Sequence, residues 1–295
     1  MSDTDIWSVQ RLLEWTTEYL GKSGSESSRL DAEILLATAR DCRRIDLYAA
    51  YDEQPNEEVR LAFRELVRRR AQGTPVAYLV GRREFYSLDF RVTSDVLIPR
   101  PETEHLVIAA LDIAADRGAD DAVRTIADVG TGSGNIVVSL AKYLPGVQFL
   151  ATDVSEKAVV VARANAKFHE VDDRVDFRVG DLLDSADDGA SFDLIVSNPP
   201  YVKSSEFAEL ASDVADHEPR QALEAGPRGT EVIERLIPAA AERLHPGGRL
   251  LFEISPMIAD ETAELVSGEP CLELVRVIQD LAGHARAIDA RRVES

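Results

Sequence analysis

The part of this sequence best suited to chemistry is a run of four residues, Asn198, Pro199, Pro200 and Tyr201. They follow residues 194–196, which favour a strand, and prolines cannot continue a central strand because they have no backbone N–H. The prolines instead form a stiff turn that fixes the directions of the Asn198 side-chain oxygen and the Pro199 carbonyl. Two adjacent acceptors match a planar –NH2 group, on whose flat face Tyr201 can stack. The run therefore predicts a catalytic and substrate-binding site for a planar nitrogen.

A glycine-rich segment earlier in the chain has the spacing of a ligand-binding turn. It comes after a strand pattern and before a helix pattern, as nucleotide-binding loops do. Its spacing is Gly-x-Gly-x-Gly rather than the dinucleotide fingerprint, and no P-loop lysine follows, which disfavours a nicotinamide dinucleotide or a nucleoside triphosphate. A tight turn without a ligand is the alternative interpretation. The predicted ligand-binding residues of this loop are Gly130, Thr131, Gly132, Ser133 and Gly134.

Acidic residues end the next two predicted strands. Asp153 lies 19 residues after Gly134 and can accept hydrogen bonds from both hydroxyls of a ribose, although a helix N-cap is the alternative role. Asp181 can accept from an adenine amino group, with Leu182 packing on the ring, and its alternative role is that of a turn residue. Because ligands bind at the carboxyl edge of such sheets, these strand ends and Asn198 together predict a pocket for an adenosine without phosphates.

The elements that must position these residues alternate between strand and helix patterns from about residue 106 onward. This alternation predicts an α/β fold with a doubly wound, mostly parallel sheet of seven strands. The last two strand patterns are joined by few residues, so we expect a hairpin and one antiparallel strand near the edge.

The N-terminal part of the chain has a different pattern. Residues 7–73 have helical periodicity, with Ser28 and Asn56 as candidate N-caps, and Tyr78–Val92 alternates like a β-hairpin. The predicted domains are residues 1–76, a helical domain; residues 77–97, a hairpin linker; and residues 98–295, the domain that holds the pocket.

Composition excludes several classes of protein. The chain has 295 residues and a net charge of −20, which repels nucleic acid unless a local basic patch overrides it. Cys42 and Cys271 have neither disulfide nor metal spacing and the five histidines are scattered, so no metal site is expected. No apolar run reaches the roughly 18 residues that a membrane span needs, and the N-terminus does not resemble a signal peptide. We therefore expect a cytoplasmic protein.

These residues together resemble a class I methyltransferase that uses S-adenosylmethionine, and the Asn-Pro-Pro-Tyr run resembles that of enzymes that methylate planar amino or amide nitrogens. The resemblance is more specific still, to the PrmC/HemK family of peptide chain release factor glutamine N5-methyltransferases. It extends from about residue 73 to the C-terminus, with weaker motifs before it; Ser255 and Met257 stand where the family usually has Gly and Gln. The matching blocks, in order, are GTPVAYLVGRREFYSLDFRV, VLIPRPETEHLV, DVGTGSGNI, IVSNPPYV, EPRQALEAGPRGTEVIERLI, LHPGGRLLFEI and DLAGHARAIDARR.

The resemblance implies a Rossmann-like catalytic domain and a helical domain that docks the substrate. We expect a monomer. The substrate would be the glutamine of the Gly-Gly-Gln motif in a class I release factor, with S-adenosylmethionine as cofactor. The glycine loop, Asp153 and Leu182 would hold the cofactor, Asn198 would lie between cofactor and substrate, and residues 99–104 would line the cofactor pocket.

The sequence leaves three alternatives open. An N6-adenine DNA methyltransferase can use the same four residues on an adenine, but it needs a basic groove and base flipping. A glutamine methyltransferase that acts on another translation protein, such as a ribosomal protein, is less favoured by the family blocks, but the sequence does not reveal the surface that docks the substrate. A non-catalytic adaptor that kept the fold is disfavoured by the intact glycine loop, Asp153 and Asn198.

Overall fold

The computed structural model describes residues 7–118 and 122–293. The chain divides into two compact units. The first comprises the chain up to Arg82 together with Ala211–His217, and the second comprises Arg83–Leu210 and Glu218–Ser295. The boundary at Arg82 falls inside the predicted linker, residues 77–97.

The first unit is helical because its apolar residues recur on one face of each helix and pack together. Leu13, Leu20, Leu36 and Phe63 are buried in the shared core. From residue 7 to the boundary, five helices form: α1 (Val9–Lys22), α2 (Ser28–Ala39), α3 (Asp46–Ala49), α4 (Glu57–Ala71) and α5 (Val76–Val80).

The two predicted N-caps have different outcomes. Asn56 precedes α4 and its side chain accepts the Val59 N–H at 2.9 Å, which confirms that cap. The prediction for Ser28 is wrong, since Ser28 is the first residue of α2. Ser27, which precedes it, makes no side-chain cap because its hydroxyl donates to Asp31 at 2.9 Å.

The predicted hairpin is shorter than expected. Its strands are β1 (Arg82–Phe85) and β2 (Leu88–Arg91), whereas residues 78–80, at the start of the predicted hairpin, belong to α5. Gly81 ends α5 with a φ of 73°, a left-handed conformation that costs glycine little. Tyr86 and Ser87 form the tight turn with φ values of 49° and 58°. The β-forming residues Tyr78 and Val80 give a misleading strand pattern.

The second unit is built on a seven-stranded sheet, as predicted. Its order is β10-β11-β9-β6-β3-β4-β5, and β11 is antiparallel to both of its neighbours, which confirms the late hairpin. The remaining pairs are parallel. Its strands are β3 (Thr125–Val129), β4 (Gln148–Asp153), β5 (Val175–Val179), β6 (Phe192–Ser197), β9 (Leu244–Glu253), β10 (Leu272–Gln279) and β11 (Ala285–Arg292); a separate pair is β7 (Val202–Lys203) and β8 (Glu224–Gly226).

Helices cover both faces of this sheet. Neighbouring residues of β3 show this, since Ile126 packs into one apolar cluster and Ala127 into the other. We did not predict α6, which a 3₁₀ turn at Pro101–Thr103 leads into. The helices are α6 (Glu104–Asp116), α7 (Asn135–Tyr143), α8 (Glu156–Phe168), α10 (Glu231–Arg243) and α11 (Ala259–Gly268); α9 (Ser212–Ala215) lies in the segment that belongs to the first unit.

Candidate active site

The predicted site residues lie at the carboxyl ends of four neighbouring strands. The chain runs from β3 outward through β4 to β5 and then returns to β6 on the other side of β3, so a crevice opens where the strand order reverses. A cavity of about 350 Å³ occupies this place. Ten predicted residues line it: Gly130, Thr131, Gly132, Ser133, Asp153, Asp181, Leu182, Asn198, Pro199 and Pro200. Gly134 and Tyr201 do not line it.

The glycine loop is held by the neighbouring strand. The N–H groups of Gly130 and Thr131 both donate to the Thr152 carbonyl at 2.9 Å. Gly134 has a φ of 79°, and a Cβ at this position would lie 3.1 Å from the Ala162 Cβ. Gly134 is therefore required for close packing of the loop against α8 rather than for contact with the cavity.

Asp128 anchors the loop from below, a role that sequence reasoning missed. Its Oδ2 accepts from the Thr131 hydroxyl at 2.7 Å and from the Val137 N–H at 3.3 Å. Its Oδ1 is buried without a hydrogen-bond partner among the described residues. Burial raises the pKa of Asp128 to about 7. The sequence does contain a signal for this role, because Asp128 is an acidic residue within an otherwise apolar strand pattern.

Asp153 joins the loop to the next strand. Its Oδ2 accepts the Gly132 N–H at 2.9 Å and its Oδ1 accepts the Ser155 N–H at 2.8 Å. Burial raises the pKa of Asp153. The alternative N-cap role belongs to Ser155, whose hydroxyl oxygen accepts the Ala158 N–H at 3.2 Å. The carboxylate of Asp153 keeps lone pairs for further donors, since each oxygen can accept more than one hydrogen bond.

Asp181 has a partner that the sequence did not reveal. Both of its carboxylate oxygens accept from the Arg235 guanidinium, at 2.8 and 2.9 Å, and Arg235 also lines the cavity. Leu182 has a φ of 49°, a left-handed conformation that costs roughly 1–2 kcal/mol for such a residue. Its carbonyl accepts from the Thr152 hydroxyl at 2.7 Å, which stabilises this backbone at the cavity wall.

The run that follows β6 is divided between two environments. The Asn198 side-chain N–H donates to the Thr103 hydroxyl oxygen at 3.2 Å, so the side-chain oxygen of Asn198 is left as an acceptor. Pro199 and Pro200 line the cavity beside it. Tyr201 instead packs against a core cluster and its hydroxyl donates to Glu253 Oε1 at 3.0 Å. The geometry gives Tyr201 a buried carboxylate as its partner and does not place its ring in the cavity lining.

The segment at 99–104 reaches the cavity through Pro99, Arg100 and Thr103. Arg100 pairs with the buried Glu218 at 2.5 Å, and Glu218 also accepts the Ile98 N–H at 3.1 Å. This pairing with a buried carboxylate fixes Arg100 in the cavity wall. Sequence reasoning did not find it because the two partners are far apart in the chain.

The donors and acceptors of the cavity fit an adenosine that carries no phosphate. The two arginines that line the cavity among the described residues, Arg100 and Arg235, are each paired with a carboxylate. The half-buried carboxylate of Asp153 suits ribose hydroxyls and would repel a phosphate. Ile136, Val154 and Leu182 supply apolar surface for a flat ring.

Comparison with known proteins gives matches over both units. Residues 11–81 match the family described as PrmC N-terminal domain, and residues 111–228 match the methyltransferase small domain. The release factor glutamine methyltransferase of Rhodopirellula baltica is 51% identical over 291 residues, which are 99% of this chain and 98% of that protein. The protein of the same name from Koribacter versatilis is 38% identical over 288 residues, 97% of this chain and 99% of that protein.

Solved structures show the same fold at low sequence identity. The hMettl16 catalytic domain, in complex with MAT2A 3′UTR hairpin 6, superimposes with a TM-score of 0.54 and 20% identity. The match covers 78% of this chain and 83% of that chain. This similarity supports the architecture of the sheet and its helices.

Proposed function

This chain belongs to the family of release factor glutamine methyltransferases, and from that membership and the cavity we propose a specific reaction. The protein transfers a methyl group from S-adenosylmethionine to the side-chain amide nitrogen, N5, of the glutamine in the Gly-Gly-Gln motif of class I peptide chain release factors. One observation supports this above all others. Asn198 and Pro199 line the same cavity as residues 130–133, so a bound amide and a bound adenosine can meet there.

Bound S-adenosylmethionine supplies a methyl group on a sulfonium sulfur, which is already activated for transfer. We assign its adenosine to the glycine loop at residues 130–134, with Asp153 on the ribose hydroxyls. Asp181 accepts from the adenine amino group while held by Arg235, and Leu182 packs on the ring. Gly134 acts indirectly, because it allows the loop to pack closely against α8.

The substrate nitrogen is a poor nucleophile, since its lone pair is shared with the amide carbonyl. We propose that its two N–H groups donate hydrogen bonds to the Asn198 side-chain oxygen and the Pro199 carbonyl. These acceptors draw electron density onto the nitrogen and fix its orientation. As the N–C bond forms, the C–S bond of the methyl donor breaks to leave a thioether, and one N–H proton then leaves to water. Orientation of two bound reactants supplies roughly 7–11 kcal/mol at best, and fixed acceptors for developing positive charge add to it. Pro200 stiffens the turn, and Tyr201 anchors it to Glu253.

The setting of the reaction is part of the proposal. The helical first unit docks the release factor, and the protein acts as a cytoplasmic monomer that holds no stable nucleic acid. Its net charge of −20 opposes binding to a polyanion, and Cys42 and Cys271 are both free. None of the helices in the described parts of the chain is long and apolar enough for a bilayer span.

The direct test is incubation of the protein with a purified release factor and labelled S-adenosylmethionine, followed by mass spectrometry of the Gly-Gly-Gln peptide. We expect one methyl group on the glutamine, and none on a release factor whose glutamine is replaced by alanine. Asn198→Ala should lower kcat by about 10²–10³-fold, because an oriented polar partner is lost, while cofactor Kd changes little. Near-normal turnover by Asn198→Ala would overturn the assignment, and methylation of duplex DNA instead would support an adenine methyltransferase.

A further inference from the structure

The carboxamide of Asn165 lies where three elements of the second unit meet: α8, strand β2 of the hairpin, and the glycine loop. Asn165 belongs to α8, it is wholly withdrawn from solvent, and it does not line the cavity. A buried carboxamide destabilises a protein unless its donors and its acceptor find partners. The partners of Asn165 therefore indicate what it holds in place.

The backbone of the hairpin is the first partner. The Arg91 N–H donates to Asn165 Oδ1 at 2.8 Å, and Asn165 Nδ2 donates to the Arg91 carbonyl at 3.0 Å. These two bonds reproduce the reciprocal exchange between paired residues of an antiparallel ladder. Since Arg91 is the last residue of β2, Asn165 attaches the end of the hairpin to α8.

The glycine loop is the second partner. Asn165 Nδ2 also donates to the Ser133 carbonyl at 2.8 Å. The N–H at the other end of the same peptide, that of Gly134, donates to the Thr131 carbonyl at 2.8 Å. This peptide is held at both polar ends, so it cannot rotate without the loss of two hydrogen bonds. Ser133 lines the cavity, and the direction of its backbone therefore shapes the cavity wall.

The chemistry of this junction requires a carboxamide. A carboxamide has two N–H hydrogens and one oxygen, and here the hydrogens go to two carbonyls while the oxygen accepts one N–H. A carboxylate of the same shape would place oxygen against both carbonyls. An apolar side chain would leave all three backbone groups without this partner. Asn165 is thus fully committed to Arg91 and Ser133.

The rest of α8 supports the same two attachments. Ala162, about one turn before Asn165, is the residue that a Cβ on Gly134 would meet. Directly after α8, the His169 ring donates through Nε2 to the Asp89 carbonyl of β2 at 2.7 Å. The helix therefore packs against the loop at one point and holds the hairpin at another, and the Asn165 side chain bonds to both.

We propose that Asn165 is a positioning residue that couples the attachment of β2 on α8 to the affinity for S-adenosylmethionine. The loop keeps its cofactor-binding shape while β2 is attached, because one carboxamide holds both. Asn165 acts through the Ser133 peptide, since it does not itself line the cavity. The inference rests on the proposed function for the place of S-adenosylmethionine at the loop, and not for the identity of the methyl acceptor.

The binding test compares Asn165→Leu, which has nearly the same shape without polar atoms, with Val266→Ala. Val266 is a buried residue of α11 outside the cavity lining, so its loss destabilises the same unit from elsewhere. Circular dichroism first establishes that both variants are folded. We expect the Kd of S-adenosylhomocysteine, the demethylated product, to rise by about 10-fold in Asn165→Leu, as for loss of one or two neutral hydrogen bonds, and to change little in Val266→Ala. An unchanged Kd in Asn165→Leu, or equal rises in the two variants, would overturn the proposal.

Kinetics with a release factor separate an effect on the cofactor from general damage. In Asn165→Leu we expect KM for S-adenosylmethionine to rise by about 10-fold, with kcat at saturating cofactor nearly unchanged. KM for the release factor should also stay the same, because the bonds of Asn165 go to the loop and the hairpin and not to Asn198 or Pro199. A loss confined to kcat would contradict the proposal.

Hydrogen exchange tests the coupling in the unaltered protein. Coupling between two sites is reciprocal, so a hairpin that strengthens cofactor binding must itself be stabilised by the cofactor. We expect saturating S-adenosylhomocysteine to slow exchange of the Arg91 amide by about 10-fold and to leave the Asp280 amide, bonded to His284 in the turn between β10 and β11, nearly unchanged. In Asn165→Leu the Arg91 amide should exchange rapidly with or without this ligand. A wild-type Arg91 amide that does not respond to the ligand would refute the coupling.

The results also separate this inference from the proposed function. Titration and exchange need no release factor. If both give the expected responses but the protein methylates no release factor, the proposed substrate fails and the role of Asn165 stands. If wild-type protein methylates a release factor and Asn165→Leu binds S-adenosylhomocysteine with an unchanged Kd, the coupling alone fails.

Discussion

The buried carboxyl of Asp128 allows a quantitative test of how the glycine loop is supported. It is completely buried beneath the loop, it accepts from Thr131 and Val137, and burial raises its pKa from 3.8 to about 7. Between these two pH values the folded protein binds a proton that the unfolded chain has lost. The free energy of unfolding must therefore fall as pH rises through this window.

The size of the effect follows from the shift. A difference of about 3 pKa units at roughly 1.36 kcal/mol per unit makes the ionised folded state less stable by about 4 kcal/mol. Between pH 5 and pH 8 the free energy of unfolding of the wild type should fall by about 2–3 kcal/mol. The rest of the change lies below pH 5. Asp128→Asn has no proton to lose and should lack this contribution altogether.

The assay is thermal unfolding followed by circular dichroism at pH 5, 6, 7 and 8. We expect the Tm of Asp128→Asn minus that of wild type to increase with pH, by about 5–10 °C over this range for a domain of this size. Asp188→Asn, in an exposed turn, is the control and should show a constant difference. A difference between Asp128→Asn and wild type that stays constant with pH would refute the reasoning, whatever its sign.

Three further predictions concern the cofactor loop and the sheet. Asp153→Ala should raise the Kd for S-adenosylmethionine by about 10–100-fold, which corresponds to the loss of a hydrogen bond to a charged group. An unchanged Kd in calorimetry would count against the ribose role. Gly134→Ala should destabilise the protein by about 1–3 kcal/mol in urea titrations because its Cβ meets Ala162, whereas Gly146→Ala, whose Cβ meets no atom within 4 Å, should change stability little. Asp289→Ala should lower the free energy of unfolding by about 3–5 kcal/mol, because it leaves Arg249 without its buried partner. Removal of the exposed carboxylate of Glu273 should lower it by less than about 1 kcal/mol. Equal losses in urea titrations would contradict the role of burial.

The sequence by itself determined the architecture of the second unit and the place of its cavity. Alternating strand and helix patterns specify a parallel sheet, and parallel strands bring their carboxyl ends to one edge. The glycine loop, Asp153, Asp181 and Asn198 each follow or end such a strand, so their common location could be predicted from chain order. The antiparallel β11 was predictable too, because a short connection allows only a hairpin.

Local propensity failed where competing contacts were decisive. Tyr78–Val80 has a strand-like pattern but lies in α5, and Ser28, the predicted N-cap, is the first residue of α2, whose preceding residue Ser27 donates its hydroxyl to Asp31. Both errors have the same cause. Turn and cap assignments depend on which partner a group finds, and a pattern of residue types does not contain that information.

Only the tertiary structure decided the partners that orient the site. Arg235 reaches Asp181, Thr103 reaches Asn198, and the phenol of Tyr201 lies beside Glu253 and outside the cavity lining. These partners come from distant parts of the chain, and the packing of whole helices and strands brings them together. Hydrophobic periodicity specifies which elements form, but side-chain hydrogen bonds over a few ångströms depend on the register and rotation of those elements after packing.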